Sequence, residues 1–379
     1  MRTTEKPSGT DVARVDEFAF LKAFPILGLA LVHVPYDAAI FGLADESLID
    51  FLATILIYVD FGPAIFMLCM GYSIAGVKSS PVRLMRQGFQ FLLINAVLNI
   101  FRYVLPNVLR LAIGITPWED PLMMIFESDI YYFVGLFFLF YALMRRFHVS
   151  SLGMLLITVL MVLVVQLLKL LRADWVANEY LASFLANFYD LNGESGFALL
   201  AWTFVPAVGI CLGEWLKRTS GAERTRAMRR VLACSSVFIV ALWFNLHFFG
   251  IGLRRIFLEP DGSWNFLYAS FIVGVSLVLV ALARELCLRI AGTRFYRFIM
   301  RLSAAIMPFY ILQWVFIAWE MFFLQLFGLP SGSFGFTWYI LSTVVITVAC
   351  AFLSTRFGMK IMKPLLRFTA PWNYRRSKA

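Results

Sequence analysis

Charged residues are scarce in this sequence, and their scarcity excludes a soluble globular domain. Asp, Glu, Lys and Arg make up 15% of the 379 residues, whereas 61% are hydrophobic and the mean hydropathy is +0.80. Soluble domains have about a quarter of their residues charged. The composition therefore indicates a polytopic membrane protein.

Cysteine and histidine are scarce as well, which leaves little material for a metal site. The five cysteines are widely separated and lie within or at the edges of apolar runs. We expect them to pack as small apolar residues, and we predict no metal cofactor. The first seventeen residues are polar and contain no apolar core, so we predict no signal peptide.

The net charge of +10 is spread over several loops and a tail instead of forming one basic patch. No segment is typical of a nucleic-acid-binding module, so we expect no nucleic-acid partner. We attribute the charge to membrane topology and to contact with anionic lipid headgroups.

Long apolar runs are what the sequence does contain. Each can form a helix that crosses a hydrocarbon core about 30 Å thick, and none alternates in polarity as a transmembrane barrel does. We predict an all-α transmembrane bundle of about ten spans, at 18–43, 51–77, 87–109, 129–145, 152–171, 197–216, 231–250, 265–283, 298–327 and 334–355.

The distribution of basic residues predicts the orientation of these spans. With the N-terminus inside, the outer segments hold only six of the 33 Lys and Arg residues, which places both termini in the cytoplasm. We therefore predict a cytoplasmic N-terminal tail over 1–17, a transmembrane domain over 18–358 and a basic cytoplasmic tail over 359–379. The short outer connections favour a bacterial inner membrane.

Lys22 and His33 share one face of the first predicted span. Eleven residues at about 100° each make about three turns, so the two positions lie about 16 Å apart along the helix axis. Ionisable groups at two depths of one span usually mark a pathway or a reaction site. A snorkelling lysine and a hydrogen-bonded core histidine are the simpler alternative.

Three carboxylates are predicted to lie with His33 in the outer half of the membrane, namely Asp37, Asp60 and Asp129. An imidazole flanked by carboxylates suits removal of a proton from a hydroxyl or an amine. Asp37 can orient the ring only if the helix continues past Pro35. Asp129 is alternatively the N-cap of its helix.

Arg83 and Arg86 are predicted to lie at the inner end of the bundle with Lys22. Together they make a cationic mouth suited to a phosphorylated ligand. The alternative is that these two arginines only reflect the general enrichment of Lys and Arg in the cytoplasmic loops of membrane proteins.

These residues belong to an ordered set of four motifs. The first span has a basic residue and a histidine, and the second ends in an apolar run with a glycine–aromatic turn. An R-x-x-R follows, and a late span carries serine, tyrosine and a polar residue. The motifs are Lys22–His33, Phe66–Ser73, Arg83–Arg86 and Ser303–Gln313. Their order resembles that of the integral-membrane acyltransferases, a family that includes bacterial polysaccharide O-acetyltransferases, with the lysosomal heparan-α-glucosaminide N-acetyltransferase as a more distant relative.

The resemblance implies an acyl-CoA-dependent O-acyltransferase. Acetyl-CoA on the cytoplasmic side is the implied donor, and a carbohydrate or lipid-linked glycan on the far side is the implied acceptor, activated by His33. Tyr310 or Gln313 would also stabilise the oxyanion. The implied donor contacts are Lys22, Arg83, Arg86, Tyr310 and Gln313.

The chain departs from the family pattern at three positions. Lys22 stands where the family has arginine, Ala19 where it has aspartate and Gln313 where it has histidine. His33 is therefore the one imidazole left as a base. Two other functions stay open: a proton-coupled transporter or flippase with Lys22, His33 and Asp60 as a relay, and a degenerate relative that binds ligand without turnover.

Overall fold

The computed structural model describes residues 16–55, 61–77, 79–117, 120–121, 123–127, 129–170, 181, 184–185, 187–189, 197–219, 221–248, 266–328 and 332–368. Within these residues the fold is helical, and the only strand-like feature is an isolated bridge between Ala44 and Phe334. The helices are α1 (Glu17–Leu21), α2 (Ala23–Ile40), α3 (Glu46–Ile55), α4 (Phe61–Ile74), α5 (Pro81–Asn99), α6 (Leu105–Ala112), α7 (Ile130–Arg146), α8 (Ser151–Leu170), α9 (Leu199–Trp202), α10 (Phe204–Leu216), α11 (Gly221–Phe248), α12 (Phe266–Ile290), α13 (Arg294–Ala304), α14 (Ile306–Leu326) and α15 (Phe336–Phe368).

Seven helical stretches in the described residues are long and apolar enough to cross a membrane, so the chain is an all-helical integral membrane protein. The all-α class is confirmed, whereas ten spans and two cytoplasmic termini stay predictions. The seven stretches are Glu17–Ala39, Pro81–Ala112, Leu199–Leu216, Gly221–Phe244, Ala269–Ile290, Ile306–Leu326 and Phe336–Gly358.

We call the end of the bundle where α1 begins the inner face, and the end where α2 finishes the outer face.

The first span consists of two helices that meet at Lys22. Asp16 caps α1 by accepting a hydrogen bond from the Ala19 N–H at 2.9 Å. Pro35 lies inside α2 without ending it, and the helix continues to Ile40. Asp37 therefore lies one turn beyond His33 on the same helix, as a role in orienting the imidazole requires.

Glu17 fixes the start of α1 at the inner face, although the sequence assigns it to the N-terminal tail. Its carboxylate is fully buried and accepts hydrogen bonds from Arg224 at 2.7 and 2.9 Å and from Arg284 at 3.3 Å. Arg224 also donates to the Tyr72 hydroxyl at 2.6 Å, and the Tyr72 ring stacks on Phe18. These contacts tie α1 to α4, α11 and α12. At the other terminus, α15 continues past the predicted tail boundary at 358.

Helices α4 and α10 pack with their backbones in close approach. A Cβ added at Gly71 would lie 2.1 Å from the carbonyl oxygen of Pro206, and one added at Gly209 would lie 2.2 Å from the carbonyl oxygen of Leu68. Small residues permit this approach in membrane proteins, where helix association depends on packing more than on the hydrophobic effect. Of these two helices, α4 also contacts α1 and α2 of the first span.

This close approach predicts that Gly209→Ala destabilises the protein. The added methyl must displace backbone, so we expect a loss of about 1–3 kcal/mol, measured as a lower thermal unfolding temperature of the purified protein in detergent. Gly28→Ala is the matched control, because nothing lies within 4 Å of a Cβ at Gly28 in α2. Equal unfolding temperatures for Gly209→Ala and wild type would show that the helices are not packed this closely.

Candidate functional site

The second of the seven helical stretches, Pro81–Ala112, changes from α-helical to π-helical winding in its middle. Helices α5 and α6 are joined without a break by a π-helical segment, Ile100–Val104. Such segments occur frequently at functional sites. In this one the Arg102 side chain is buried in the bundle.

The connection from α6 to α7 folds back into the bundle. The Asn99 side-chain amide donates hydrogen bonds to the carbonyls of Ile125 at 3.1 Å and Glu127 at 3.0 Å, and the Asn95 amide donates to the Glu127 carbonyl at 3.3 Å. Irregular backbone inside a membrane protein is tolerated where neighbouring protein groups satisfy its polar atoms. The two asparagines do this, and the connection delivers Asp129 to the π-helical segment.

Asp129 joins three helical elements through its carboxylate. Its Oδ2 lies 3.2 Å from Arg102 Nη1, and the two side chains are only 2% and 6% exposed. Its Oδ1 accepts a hydrogen bond from the Tyr310 hydroxyl of α14. Asp129 also occupies the N-cap position of α7, although its side chain makes no capping hydrogen bond there.

Trp314 brings His33 next to this charged pair. The guanidinium carbon of Arg102 lies 3.2 Å from the centroid of the Trp314 ring, and the ring centroids of His33 and Trp314 are 4.0 Å apart. Arg102 also interacts electrostatically with His33 and with Asp37. We call this group the outer cluster; its members are His33, Asp37, Arg102, Asp129, Tyr310 and Trp314.

Four polar atoms of the outer cluster are buried without a hydrogen-bond partner in the described part of the chain. They are His33 Nδ1, Asp37 Oδ2, Arg102 Nε and Trp314 Nε1. Buried polar atoms in native proteins are nearly always paired, and exceptions often have a catalytic or ligand-binding role. These atoms make the outer cluster the candidate functional site.

The structure brings four of the nine sequence-predicted site residues around Arg102, namely His33, Asp37, Asp129 and Tyr310. Lys22 is half-buried at the junction of α1 and α2, and Arg83 and Arg86 are exposed at the start of α5. Asp60 lies outside the described residues. The roles assigned to all of these residues stay predictions.

Gln313 is fully buried and bonds to the backbone of α2. With the side-chain amide oriented so that both of its polar atoms are paired, Nε2 donates to the Ile26 carbonyl at 3.2 Å and Oε1 accepts from the Ala30 N–H at 2.9 Å. Ile26 and Ala30 lie between Lys22 and His33 along α2, so Gln313 stands between the two predicted ends of the site. Both polar atoms of its amide are engaged in this conformation.

A second polar cluster lies at the inner face, where α4 and α10 end. Lys217 Nζ donates to the carbonyls of Tyr72 at 2.9 Å and Ala75 at 2.5 Å, which places a cation at the C-terminal end of α4. Burial and the charge of Arg224 lower the pKa of Lys217. A cavity of about 320 Å³ opens beside it and is lined by Gly76, Glu214, Lys217 and Arg218.

Arg102 and Trp314 are the site residues that sequence reasoning misses. Arg102 falls inside the apolar run 87–109, and an arginine within such a run is the signal that identifies it. Trp314 has no comparable signal, because tryptophan is common in membrane helices.

Over the described residues, no group of three or more His, Cys, Asp or Glu side chains is placed to hold a metal ion. No family model, curated protein or solved structure matches the chain.

The buried ion pair predicts a large loss of stability when one partner is removed. We expect Arg102→Leu to cost about 3–5 kcal/mol because it leaves Asp129 charged and unpaired. The double variant Arg102→Leu/Asp129→Leu should recover part of this loss, measured by thermal unfolding in detergent.

Arg229→Leu is the control for this comparison of single and double variants. Arg229 and Glu285 form an ion pair whose side chains are 65% and 30% exposed. We expect Arg229→Leu to leave the unfolding temperature close to that of wild type, because exposed ion pairs add little to stability. If Arg102→Leu unfolds at the same temperature as Arg229→Leu, the pair does not stabilise the fold.

Proposed function

We propose that the protein is a membrane-embedded O-acyltransferase. It takes an acyl group, acetyl in the simplest case, from acyl-CoA at the inner face. It transfers this group to a hydroxyl of a carbohydrate or lipid-linked glycan in the outer half of the membrane, which in this proposal is a bacterial inner membrane. The ordered motifs of the sequence and the composition of the outer cluster both support the proposal.

The observation that carries the proposal is the imidazole of His33, whose Nδ1 atom is buried. Its Nδ1 has no hydrogen-bond partner among the described residues, and its ring packs on Trp314 beside Arg102. Histidine is the side chain whose ordinary pKa suits proton transfer near neutral pH. In the tautomer protonated at Nε2, Nδ1 is a base that can accept a proton from a hydroxyl.

In the proposed reaction, His33 Nδ1 takes the proton of the acceptor hydroxyl while the hydroxyl oxygen bonds to the thioester carbonyl carbon. An electron pair of the carbonyl moves to its oxygen, and Arg102 Nε donates a hydrogen bond to the resulting oxyanion. When the carbonyl reforms, the carbon–sulfur bond breaks, and the CoA sulfur leaves with the proton held by His33. The products are an ester and the CoA thiol.

Arg102 takes the oxyanion role that the sequence assigns to Tyr310 or Gln313. The Tyr310 hydroxyl is engaged with Asp129, and the Gln313 amide is engaged with α2. Arg102 retains an unpartnered Nε within the described residues. In the proposal Tyr310 is a positioning residue that holds Asp129 and, through it, the guanidinium.

The donor end of the proposed site uses Lys22, Arg83 and Arg86. Arg83 and Arg86 are exposed and three residues apart on α5, so their side chains are neighbours on one helix face and suit phosphate groups of CoA. The acyl arm then runs along α2 toward the outer cluster. Gln313 stands on that path, so its amide must leave α2 when the donor enters.

Replacement of His33 tests the proposed function. Labelled acetyl-CoA is supplied to the inner face of oriented membrane vesicles, and the label transferred to membrane glycans is measured. Because His33→Ala removes the general base, we expect labelling to fall by about 10²–10⁴-fold.

The matched control for this experiment is His148→Asn. His148 is exposed in the turn after α7 and has a φ of 54°, a conformation that asparagine tolerates. This variant should label glycans as wild type does. The catalytic assignment is wrong if His33→Ala also labels at the wild-type rate.

A proton-coupled transporter or flippase is the second candidate, and the charges of the outer cluster favour it. Arg102, Asp129 and Asp37 lie inside the bundle beside a π-helical segment and an irregular connection, an arrangement typical of proton relays in transporters. Proton-coupled uptake into proteoliposomes that Asp37→Asn abolishes, without labelling from acetyl-CoA, would favour transport over acyl transfer.

A further inference from the structure

The outer cluster contains more negative than positive formal charge. Arg102 contributes one positive charge, whereas Asp129 and Asp37 contribute two negative charges that both interact with it. Glu127 adds a further carboxylate near Tyr103, which lies next to Arg102 in the π-helical segment. Even with His33 protonated, the positive charges of the cluster do not exceed its negative charges.

The unpartnered atoms of the cluster differ in what they can bind. Asp37 Oδ2 can only accept a hydrogen bond when the carboxyl is ionised, and Arg102 Nε can only donate one. Both atoms are buried and without a partner in the described residues. A ligand that satisfies both must therefore present a donor and an acceptor.

A hydroxyl group meets both requirements, whereas a carboxylate or a phosphate does not. A hydroxyl donates through its hydrogen and accepts through its oxygen, but an ionised carboxylate or phosphate mainly accepts. An anionic group would also bring a charge into a cluster that already has an excess of carboxylates, and burying such an unpaired charge is strongly unfavourable. Charge and hydrogen-bonding capacity thus select the same kind of ligand.

We propose that the outer cluster is a binding subsite for a neutral hydroxyl-bearing group and that Asp37 is the residue that excludes anionic ligands. Without acyl-CoA, the hydroxyl donates to Asp37 Oδ2 and accepts from Arg102 Nε. In the proposed reaction the hydroxyl hydrogen turns to His33 Nδ1, and the Arg102 Nε hydrogen turns to the thioester carbonyl oxygen. Identification of this ligand with the acyl acceptor rests on the proposed function, whereas the charge selectivity of the subsite does not.

The test uses three probes that differ only at one carbon: glucose, glucuronate and glucose 6-phosphate. Binding is measured without acyl-CoA, as saturable thermal stabilisation of the full chain in a detergent that has no sugar headgroup. We expect wild type to bind glucose at least tenfold more tightly than either anionic probe. Asp37→Asn removes one negative charge. The ratio of the glucuronate dissociation constant to the glucose dissociation constant should therefore fall about tenfold or drop below one.

Glu320→Gln is the matched control, because Glu320 is a half-buried carboxylate with one fully buried oxygen atom, and it accepts a hydrogen bond from Ser342 between α14 and α15. This variant should keep the wild-type order of the probes. The proposal is overturned if wild type binds glucuronate as tightly as glucose, if none of the probes binds saturably, or if Asp37→Asn leaves the ratio unchanged.

The outcomes also separate this inference from the proposed function. Selective glucose binding without any acetyl transfer from acetyl-CoA supports the proposed subsite and contradicts the proposed acyltransferase activity. Transfer of label to an anionic acceptor, with equal binding of the three probes, supports the proposed acyltransferase activity and contradicts the proposed subsite.

Discussion

The buried ion pair between Arg102 and Asp129 is the constraint on which the site architecture depends. A guanidinium inside a membrane bundle needs a counter-charge, because the effective penalty for burying an ion is on the order of several kcal/mol. The connection from α6 to α7 folds inward and supplies that counter-charge. Asn95 and Asn99 satisfy the carbonyls of this connection, so the irregular backbone remains compatible with the membrane interior. The π-helical segment and the inward connection are therefore two parts of one arrangement.

The interface between α2 and α14 links the two predicted ends of the site. Helix α2 carries His33, and α14 carries Trp314, which packs on it. The same pair of helices is joined one layer closer to the inner face by Gln313, which bonds to the α2 backbone. Any separation of α2 from α14 that opens a path past Gln313 also changes the contact between Trp314 and His33. In the proposed reaction, entry of the acyl donor from the inner face therefore changes the geometry of the outer cluster.

Sequence could predict the residues whose chemistry conflicts with their surroundings. His33, Asp37 and Asp129 stand out because each is ionisable within or beside an apolar run, and the helical period places the first two on one helix. Lateral neighbours could not be predicted, since no periodicity shows that Arg102 points toward Trp314. The role of Glu17 could not be predicted for another reason, because a single carboxylate that follows a polar segment is interpreted as part of the N-terminal tail. Its role depends on Arg224 and Arg284, which lie far along the chain.

Charge balance connects the membrane environment to the proposed chemistry. When His33 accepts a proton from a neutral hydroxyl, the positive charge on the ring and the negative charge on the oxyanion appear together. The formal charge of the outer cluster then stays constant from binding to release of the thiol. An anionic acceptor would instead keep an additional negative charge beside Asp37 and Asp129 throughout the reaction, and both of these side chains are buried. A low-dielectric site with one guanidinium and two carboxylates is therefore suited to proton transfer within a neutral reacting group, and the surplus of carboxylates limits which acceptors can reach the base.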